Sequence, residues 1–296
     1  MDRVLLIDLA NAIWRASIGF APKKPILAPP KDNWEMYGGE EPTPEPKKVD
    51  DSFIIIFNFF RNLRPIIEQF SPDKCFAVLE GHPGFRHALF PGYKANRIIK
   101  QASQQESRDK FNTAHPEIVR LLQYLPITLA HASDYEADDT ISSLAENMKE
   151  EDITILSSDG DYKQLLQKNF NRLKVYNPIK KVFMESPTHH YILFSSLTGD
   201  KSDGIKRLVS DKKALQFCND PALFKNWMSI EENRANFSIN RSLKEFAKVP
   251  EDEIVIQEGV RNFVGLKKEF ARMEFQSIIS EKSWEKYTNT FDCLRY

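Results

Sequence analysis

The chain has 296 residues, 41% of them apolar and 28% charged, which allows one large buried core, or a core with a smaller module, in an ordinary globular protein. Its 41 Lys and Arg nearly balance its 42 Asp and Glu, leaving a formal charge of −1; this excludes a uniformly basic protein but not separate acidic and basic faces. Cys75, Cys218 and Cys293 stand at no metal-binding or disulfide spacing, no apolar window reaches transmembrane length and no signal peptide opens the chain, so the expectation is a cytoplasmic protein with no membrane partner.

The first predicted element is Val4–Ile7, a continuous apolar run suited to a buried parallel strand. It closes on Asp8, at the strand end where ligands of open α/β sheets bind, though a helix cap would also explain an acid there. Seven prolines between 20 and 50, with Gly38-Gly39 and many charges, predict an inserted surface loop. From Asp51, Phe53, Ile56, Phe57, Phe60, Leu63 and Ile67 recur at helical spacing, with Pro65 expected to kink or interrupt the helix. Cys75–Leu79 reads as a second buried strand, again ending in an acid, Glu80, before a turn at Gly81, Pro83 and Gly84.

Residues 85–113 differ in kind. Arg86, His87, Lys94, Arg97, Lys100, Arg108 and Lys110 are interleaved with Phe85, Phe90 and Tyr93, a pattern that fits phosphate contact with base stacking, or alternatively a solvated basic helix. Gln101–Asp109 is polar enough to be mobile without a partner. A helix is predicted at Glu117–Leu125 and a short strand at 127–129.

The richest stretch is 131–161. Glu136, Asp138 and Asp139 precede the helical run Ile141, Leu144, Ala145, Met148; Asp159 and Asp161 follow the β-like run Ile153–Leu156 and precede a second helical run with Leu165 and Leu166. Capping accounts for one or two acids at such places. Five like charges need a cation among them, and an oxygen-only ligand set points to Mg²⁺, with Mn²⁺ able to substitute. Short outer strands are predicted at Leu173–Tyr176 and Lys181–Met184, and a helix at His189–Leu197 opened by Ser186-Pro187. That helix leads into the glycine-rich turn 198–204, carrying Asp200 and Asp203. Beyond it the pattern is helical, with Leu215, Phe217, Leu223, Phe224, Trp227 and Met228 as a satellite core. Ile254, Val255, Val260, Phe263, Leu266 and Phe270 are spaced to bury against a neighbour.

If these strand ends share one sheet edge, up to nine carboxylates meet in one cleft, which two divalent ions would neutralise. A basic, aromatic segment beside such a cleft favours a nuclease. No phosphate-binding GxxxxGK[ST] loop and no GxGxxG follow the first strand. His87, His131, His189 and His190 are expected to be surface or packing residues.

Leu-Leu-Ile-Asp at 5–8, Tyr93-Lys94-x-x-Arg97, Glu136-Ala-Asp-Asp139, Ser158-Asp-Gly-Asp161 and Gly199-Asp-x-x-Asp203 together resemble the flap endonuclease / 5′-nuclease superfamily, over about residues 1–205 and in the family's order. The nearest likeness is to bacteriophage 5′→3′ exonucleases, including the phage RNase H that removes RNA primers. The resemblance implies an α/β fold with a central, mostly parallel sheet flanked by helices. A nuclease domain would span 1–200, with the insertion at 20–50 and an arch- or clamp-like segment at 85–113. A smaller, mainly helical part would span 201–296 and carry a degenerate helix–turn–helix-like DNA-binding segment.

It further implies a first metal held by Asp8, Glu80, Glu136 and Asp138, and a second by Asp159, Asp161 and Asp203, with Asp200 and Asp139 supporting. Arg86, Lys94 and Arg97 would steer single-stranded 5′ ends, Lys94 also stabilising charge on the scissile phosphate; Lys94 and Arg97 join the acids as expected catalytic residues. The implied activity is two-metal-ion hydrolysis of DNA or RNA·DNA from 5′ ends or flaps, leaving 5′ phosphates. The protein would be a monomer, partnered by a single-stranded DNA-binding protein or a sliding clamp. Two departures stand out: Glu80 replaces the usual Asp, and Gly204-Ile-Lys-Arg-Leu208 lacks the family's Gly-x-Gly hairpin, so duplex grip falls to Lys206 and Arg207, with Lys212 and Lys213. The alternatives are a PIN-like ribonuclease, which would lack the arch-like segment and the Gly-Asp-x-x-Asp turn, and an inactive nucleic-acid-binding module, which would need no metal.

Overall fold

The computed structural model describes residues 1–18, 51–95 and 105–295; the proline-rich stretch at 20–50, Arg97 and Lys100 lie outside the described residues. Strand β1 (Arg3–Asp8) runs through the centre of a seven-stranded sheet. Helix α1 (Leu9–Ile18) follows it directly, and α2 (Asp51–Phe70) continues through Pro65 as one helix. Then come β2 (Lys74–Val78), α3 (Gly84–Leu89), α4 (Gln105–Leu122), β3 (Thr128–His131), α5 (Ala137–Asn147) and β4 (Asp152–Leu156). A 3₁₀ helix at Gly160–Gln167 leads to β5 (Arg172–Asn177) and β6 (Val182–Phe183).

The strand order is β6-β5-β4-β1-β2-β3-β7, where β7 is Val255–Gln257. All central pairings are parallel, and the two edge pairings, β5 with β6 and β3 with β7, are antiparallel. From β1 the chain builds towards β2 and β3, then returns to lay β4 on the other side of β1. The order therefore reverses between β1 and β4, which is where an open sheet leaves a crevice beyond its carboxyl ends.

Continuous apolar strands follow from burial on both faces. Along β1, Leu5 and Ile7 enter one core with α1, α2 and α4, whereas Val4 and Leu6 face a second core with α5 and the 3₁₀ helix, the two-residue period of a strand deciding which side each takes. Helices α6 (Tyr191–Thr198), α7 (Asp211–Asn219), α8 (Pro221–Met228) and α9 (Glu231–Lys244) enclose the satellite cluster of Leu197, Ala214, Phe217 and Phe237.

Three expectations are corrected. The polar stretch at 105–109 is helical: it forms the opening of α4, which begins at Gln105 rather than Glu117 and takes Pro116 within it. Helix α6 starts at Tyr191 and is capped by His190, whose Nδ1 accepts from the Leu193 N–H at 3.2 Å, not by Ser186-Pro187. The second helical run, with Leu165 and Leu166, forms as a 3₁₀ helix. Beyond the satellite cluster the chain returns to the main sheet. Val255–Gln257 joins the main sheet as an edge strand, with Val255 and Val260 exposed. Helices α10 (Phe263–Arg272), α11 (Gln276–Ile279) and α12 (Glu281–Asn289) return to the first core, where the Phe270 and Phe60 rings lie 5.1 Å apart. Three residues of strand carry too little pattern to be legible beforehand.

Candidate active site

At the carboxyl end of the sheet lies a cavity of about 590 Å³ lined by seven acids: Asp8, Glu80, Glu136, Asp138, Asp159, Asp161 and Asp203. Asp8 closes β1 and accepts hydrogen bonds from the Asn11 N–H at 3.0 Å and the Ser157 hydroxyl at 2.9 Å. Asn11 in turn accepts from the Ser158 N–H at 3.1 Å, stitching the ends of β1 and β4 across the crevice. Glu80 lies two residues beyond β2 and accepts from the Ala137 N–H at 3.1 Å, the free amide at the start of α5. Its extra methylene thus reaches a helix N-terminus. Gly81 beside it admits no side chain, because a Cβ would meet the Ala132 carbonyl at 2.1 Å.

The segment 136–139 turns out to do two jobs. Glu136 and Asp139 form a reciprocal capping box at the start of α5, while Asp138 points into the cavity and accepts from the Tyr162 hydroxyl at 2.7 Å. Asp159 caps the 3₁₀ helix by accepting from the Asp161 N–H at 2.8 Å. Asp161 accepts from the Tyr191 hydroxyl at 2.7 Å and from the Lys244 ammonium at 2.7 Å. The turn that holds Asp200 and Asp203 is closed by paired backbone hydrogen bonds between Asp200 and Ile205. Gly199 makes that closure possible at φ +66°, where a Cβ would sit 2.6 Å from the Ile205 carbonyl.

Two residues assigned to other roles are corrected. Arg86, expected to contact nucleic acid, is buried, with its side chain only 2% exposed. It donates from Nη1 and Nη2 to Asp139 at 2.5 and 2.7 Å and from Nη2 to the Glu245 carbonyl at 3.3 Å. Asp139, expected among the metal-supporting acids, has both oxygens engaged: Arg86 donates one hydrogen bond to each, and the Glu136 and Ala247 N–H groups donate one more to each. A carboxylate so occupied is a buried ion-pair partner. Asp200 lies outside the cavity lining, beside the Ser202 hydroxyl and Lys244.

Lys94 does reach the cavity, paired with Glu136. Its backbone takes the left-handed region at φ +57°, and its N–H donates to the Asp203 carbonyl at 2.9 Å, so one strained residue ties the basic segment to the acidic turn. Tyr93, expected to be available for stacking, is buried and donates to Glu136 at 3.0 Å. Tyr93 and Phe246 share the cavity lining with Trp14 and Phe111, whose rings lie 5.9 Å apart edge-to-face, with Arg108 and Asn112 beside them. Lys206 and Arg207 are exposed away from the cavity, and Arg207 pairs with Asp211 at 2.8 Å.

Lys244 carried no sequence signal. It ends α9, far from any acidic motif, yet its side chain is 4% exposed between Asp161 and Asp200. Trp14, Tyr162 and Tyr191 were equally silent, because only the fold brings them to the acids.

Electrostatics follow from this crowding. Burial, with Asp159 adding repulsion, pushes Asp8 up to about 6 against the hydrogen bonds that stabilise its charge. Glu80 is open to solvent at its outer side, but loss of water inside the cavity, then Glu136 and Asp8, push it up to about 7 although Lys94 opposes them. Burial, then Asp159, Asp8 and Glu80, drive Asp138 well above the carboxylate range. For Glu136 burial acts upwards, but Lys94 and Arg86 outweigh it and hold the group below its ordinary value. Burial would lower Lys244, and Asp161 and Asp200 overcome it.

Oxygen donors alone, several kept from full ionisation by one another, are a set that hard divalent cations suit. Among the described residues, no three of His, Cys, Asp or Glu stand close enough to hold an ion as they are placed; the acids ring the cavity, with Lys94 and Lys244 among them.

A raised carboxyl binds its proton more tightly folded than unfolded, so each such group adds stability as pH falls through its folded value. The metal-free protein should therefore become more stable from pH 7.5 to 5.5, the window set by Glu80 and Asp8. Thermal melts in EDTA check this, and the gain should shrink in an Asp8→Asn, Glu80→Gln double variant. An equal gain in that variant would assign the effect to other groups.

The profile of the family described as "5′-3′ exonuclease, N-terminal resolvase-like domain" matches residues 3–191. The chain is 27% identical over 186 residues to the thermostable DNA polymerase I of Thermus filiformis, covering 60% of this chain and 21% of that protein. It is 27% identical over 188 residues to a 5′-3′ exonuclease of Mycoplasmopsis pulmonis, covering 60% and 59%. The chain thus spans less than two thirds of either relative. Among solved structures, it is similar to the bacteriophage T5 flap endonuclease in a complex with DNA and metal ions, at TM-score 0.56 and 13% identity over 98% of this chain and 97% of that one. It is also similar to human GEN1 in complex with Holliday junction DNA, at TM-score 0.52 and 16% identity over 97% and 71%. At such identities the likeness is one of fold.

Proposed function

The chain belongs to the family of 5′-3′ exonuclease N-terminal, resolvase-like domains, within the flap endonuclease / 5′-nuclease superfamily, and from that membership we propose a divalent-metal-dependent nuclease that cleaves DNA and RNA·DNA strands from 5′ ends or at 5′ flaps. The observation that carries this reading is the ring of seven acids at the reversal point of the sheet, with Lys94 and Arg108 in the same lining.

Asp8, Glu80, Glu136 and Asp138 would hold one divalent ion, and Asp159, Asp161 and Asp203 a second; when bound, such ions stabilise negative charge on the attacking and leaving oxygens of a phosphodiester. Mg²⁺ is the expected ion. Asp200 acts at one remove, through Lys244. Lys94 offers its ammonium to the phosphate being cut once Glu136 is neutralised from another side. Arg97 is given a similar role by its place in the motif alone. Trp14 and Phe111 supply apolar faces against which a nucleotide base can rest, with Arg108 for the backbone. Lys206 and Arg207, exposed in the turn between α6 and α7, would meet duplex phosphates from there, in the role of a helix–turn–helix-like segment. Primer removal or end trimming during replication is the corresponding cellular task, with a single-stranded DNA-binding protein or sliding clamp as partner.

Digestion of 5′-labelled and 3′-labelled flap and RNA·DNA duplexes, in Mg²⁺ or in EDTA, tests the reading. Short 5′ products that appear only with Mg²⁺ are expected. Tight binding with no metal-dependent product would overturn it and leave a nucleic-acid-binding module.

A further inference from the structure

A second cavity, of about 480 Å³, opens between α2 and the helices α11 and α12 near the end of the chain. It shares no lining residue with the acidic cavity. Strand β2 begins opposite Val4, at the amino edge of the sheet, so α2 carries the chain back from the carboxyl edge. Arg61, Arg64 and Pro65, in the second half of α2, therefore lie away from the acids. The polar side chains of the lining are Arg61, Asn62, Arg64, Ser277, Ser283 and Tyr287: all can donate, and none is an acid. Arg61 has no acid partner among the described residues, and its guanidinium lies 5.6 Å from the centre of the Phe57 ring. Arg64 approaches Glu68 at 3.5 Å, too far for a strong hydrogen bond. The Tyr287 hydroxyl is the unusual group. Its residue is 3% exposed, yet the hydroxyl has no hydrogen-bond partner among the described residues, an arrangement that costs about 1–3 kcal/mol while it stays unpaired. Burial pushes this phenol up and Arg64 opposes it, so the hydroxyl stands within the field of the guanidinium.

We propose that this cavity binds a phosphate group, free or carried by a small molecule of mononucleotide size. Arg61 and Arg64 counter its charge, and a guanidinium suits phosphate because its planar fork offers two parallel donors. Tyr287, Ser277 and Ser283 supply hydroxyl donors to the remaining oxygens. Phe57, Pro65 and Ile278 form an apolar wall beside them, the combination of apolar lining and few convergent polar groups that small-molecule sites of this size use. A ligand held there bridges α2 to α12 and stabilises the folded chain by mass action. The site is separate from the acids, and the inference does not depend on their chemistry.

The test is isothermal titration and thermal melting of the full chain in EDTA, with inorganic phosphate, dAMP and deoxyadenosine at matched ionic strength. Phosphate and dAMP should bind saturably and raise the melting temperature, and deoxyadenosine should not. Binding of dAMP tighter by at least about tenfold makes a nucleotide the ligand and the apolar wall part of its site; equal affinities make free phosphate the ligand. Arg61→Gln and Tyr287→Phe should each weaken binding by at least about tenfold. Tyr287→Phe should do so while leaving the unliganded protein at least as stable as the wild type, since it removes an unpaired buried hydroxyl; a purely structural hydroxyl would not separate the two readouts. Arg61 is exposed, so Arg61→Gln keeps the fold and decides alone should the other variant not fold. Unchanged affinity in Arg61→Gln would place the phosphate elsewhere, as with Lys94 and Arg108 in the acidic cavity, and overturn the inference. No saturable binding, or deoxyadenosine binding as tightly as dAMP, would overturn it as well.

Discussion

Asp138→Asn is expected to lower phosphodiester cleavage by about 10²–10³-fold while raising the melting temperature of the metal-free protein. The two effects have one cause. Asp138 is half-buried in the cavity, where loss of water and then Asp159, Asp8 and Glu80 drive it well above its ordinary range. Four acids crowded in this way oppose folding in the absence of a cation, and an amide removes one charge without changing shape. The fold should tolerate it, because the Tyr162 hydroxyl that donates to Asp138 Oδ1 can donate equally to an amide oxygen. Each kcal/mol relieved would raise the midpoint by about 2–4 °C in a chain of this size. Cleavage on a 5′-labelled flap and a thermal melt in EDTA measure both quantities. Wild-type cleavage would take Asp138 out of the chemistry. Lost cleavage with a lowered melting temperature would make it a structural partner of Tyr162.

The largest loss of stability should come from Arg86→Met. Its guanidinium joins α3 to Asp139 of α5, to Glu136 at 3.2 Å and to the Glu245 carbonyl beyond α9, leaving Asp139 fully buried. Removing the cation strands a buried carboxylate, which typically costs about 3–5 kcal/mol. Replacing both partners, as Arg86→Met with Asp139→Leu, should recover part of that loss, because the cost lies in the unpaired charge more than in the lost pair. Urea denaturation of the four proteins measures the cycle. The rival role, contact with a phosphate, gives a different signature: little change in stability and a salt slope of DNA binding reduced by about one. That result would return Arg86 to the nucleic-acid surface.

Lys94 and Arg86 show why a basic stretch is ambiguous before folding. Both sit in the same polar segment, eight residues apart in sequence, with no difference in pattern to separate them. Both reach the cavity lining, but Arg86, on α3, is buried and bound to Asp139, whereas Lys94, at its left-handed turn, is partly exposed and pairs with Glu136. The same ambiguity affects the acids. Asp138 and Asp139 are adjacent, and the helical rotation between them sends one into the cavity and the other into the capping box.

Features that depend on local pattern were legible before folding. Apolar runs ending in Asp8, Glu80 and Asp159 mark buried parallel strands and place an acid at each carboxyl end, because strand burial and strand-end ligand sites are consequences of sheet geometry. Helices α2 and α5 and the turn at 199–205 were legible for the same reason. Tertiary structure alone decided which acids face a common cavity, that Arg86 and Asp139 cancel one another in the interior, and that Lys244, Trp14 and Phe111 join the site from helices with no acidic motif. It also decided that residues 255–294 return to the first half of the chain, a three-residue strand to the sheet edge and the later helices to the first core, with aromatic contact to α2. Those outcomes depend on packing between elements distant in sequence, and no window of neighbouring residues carries that information.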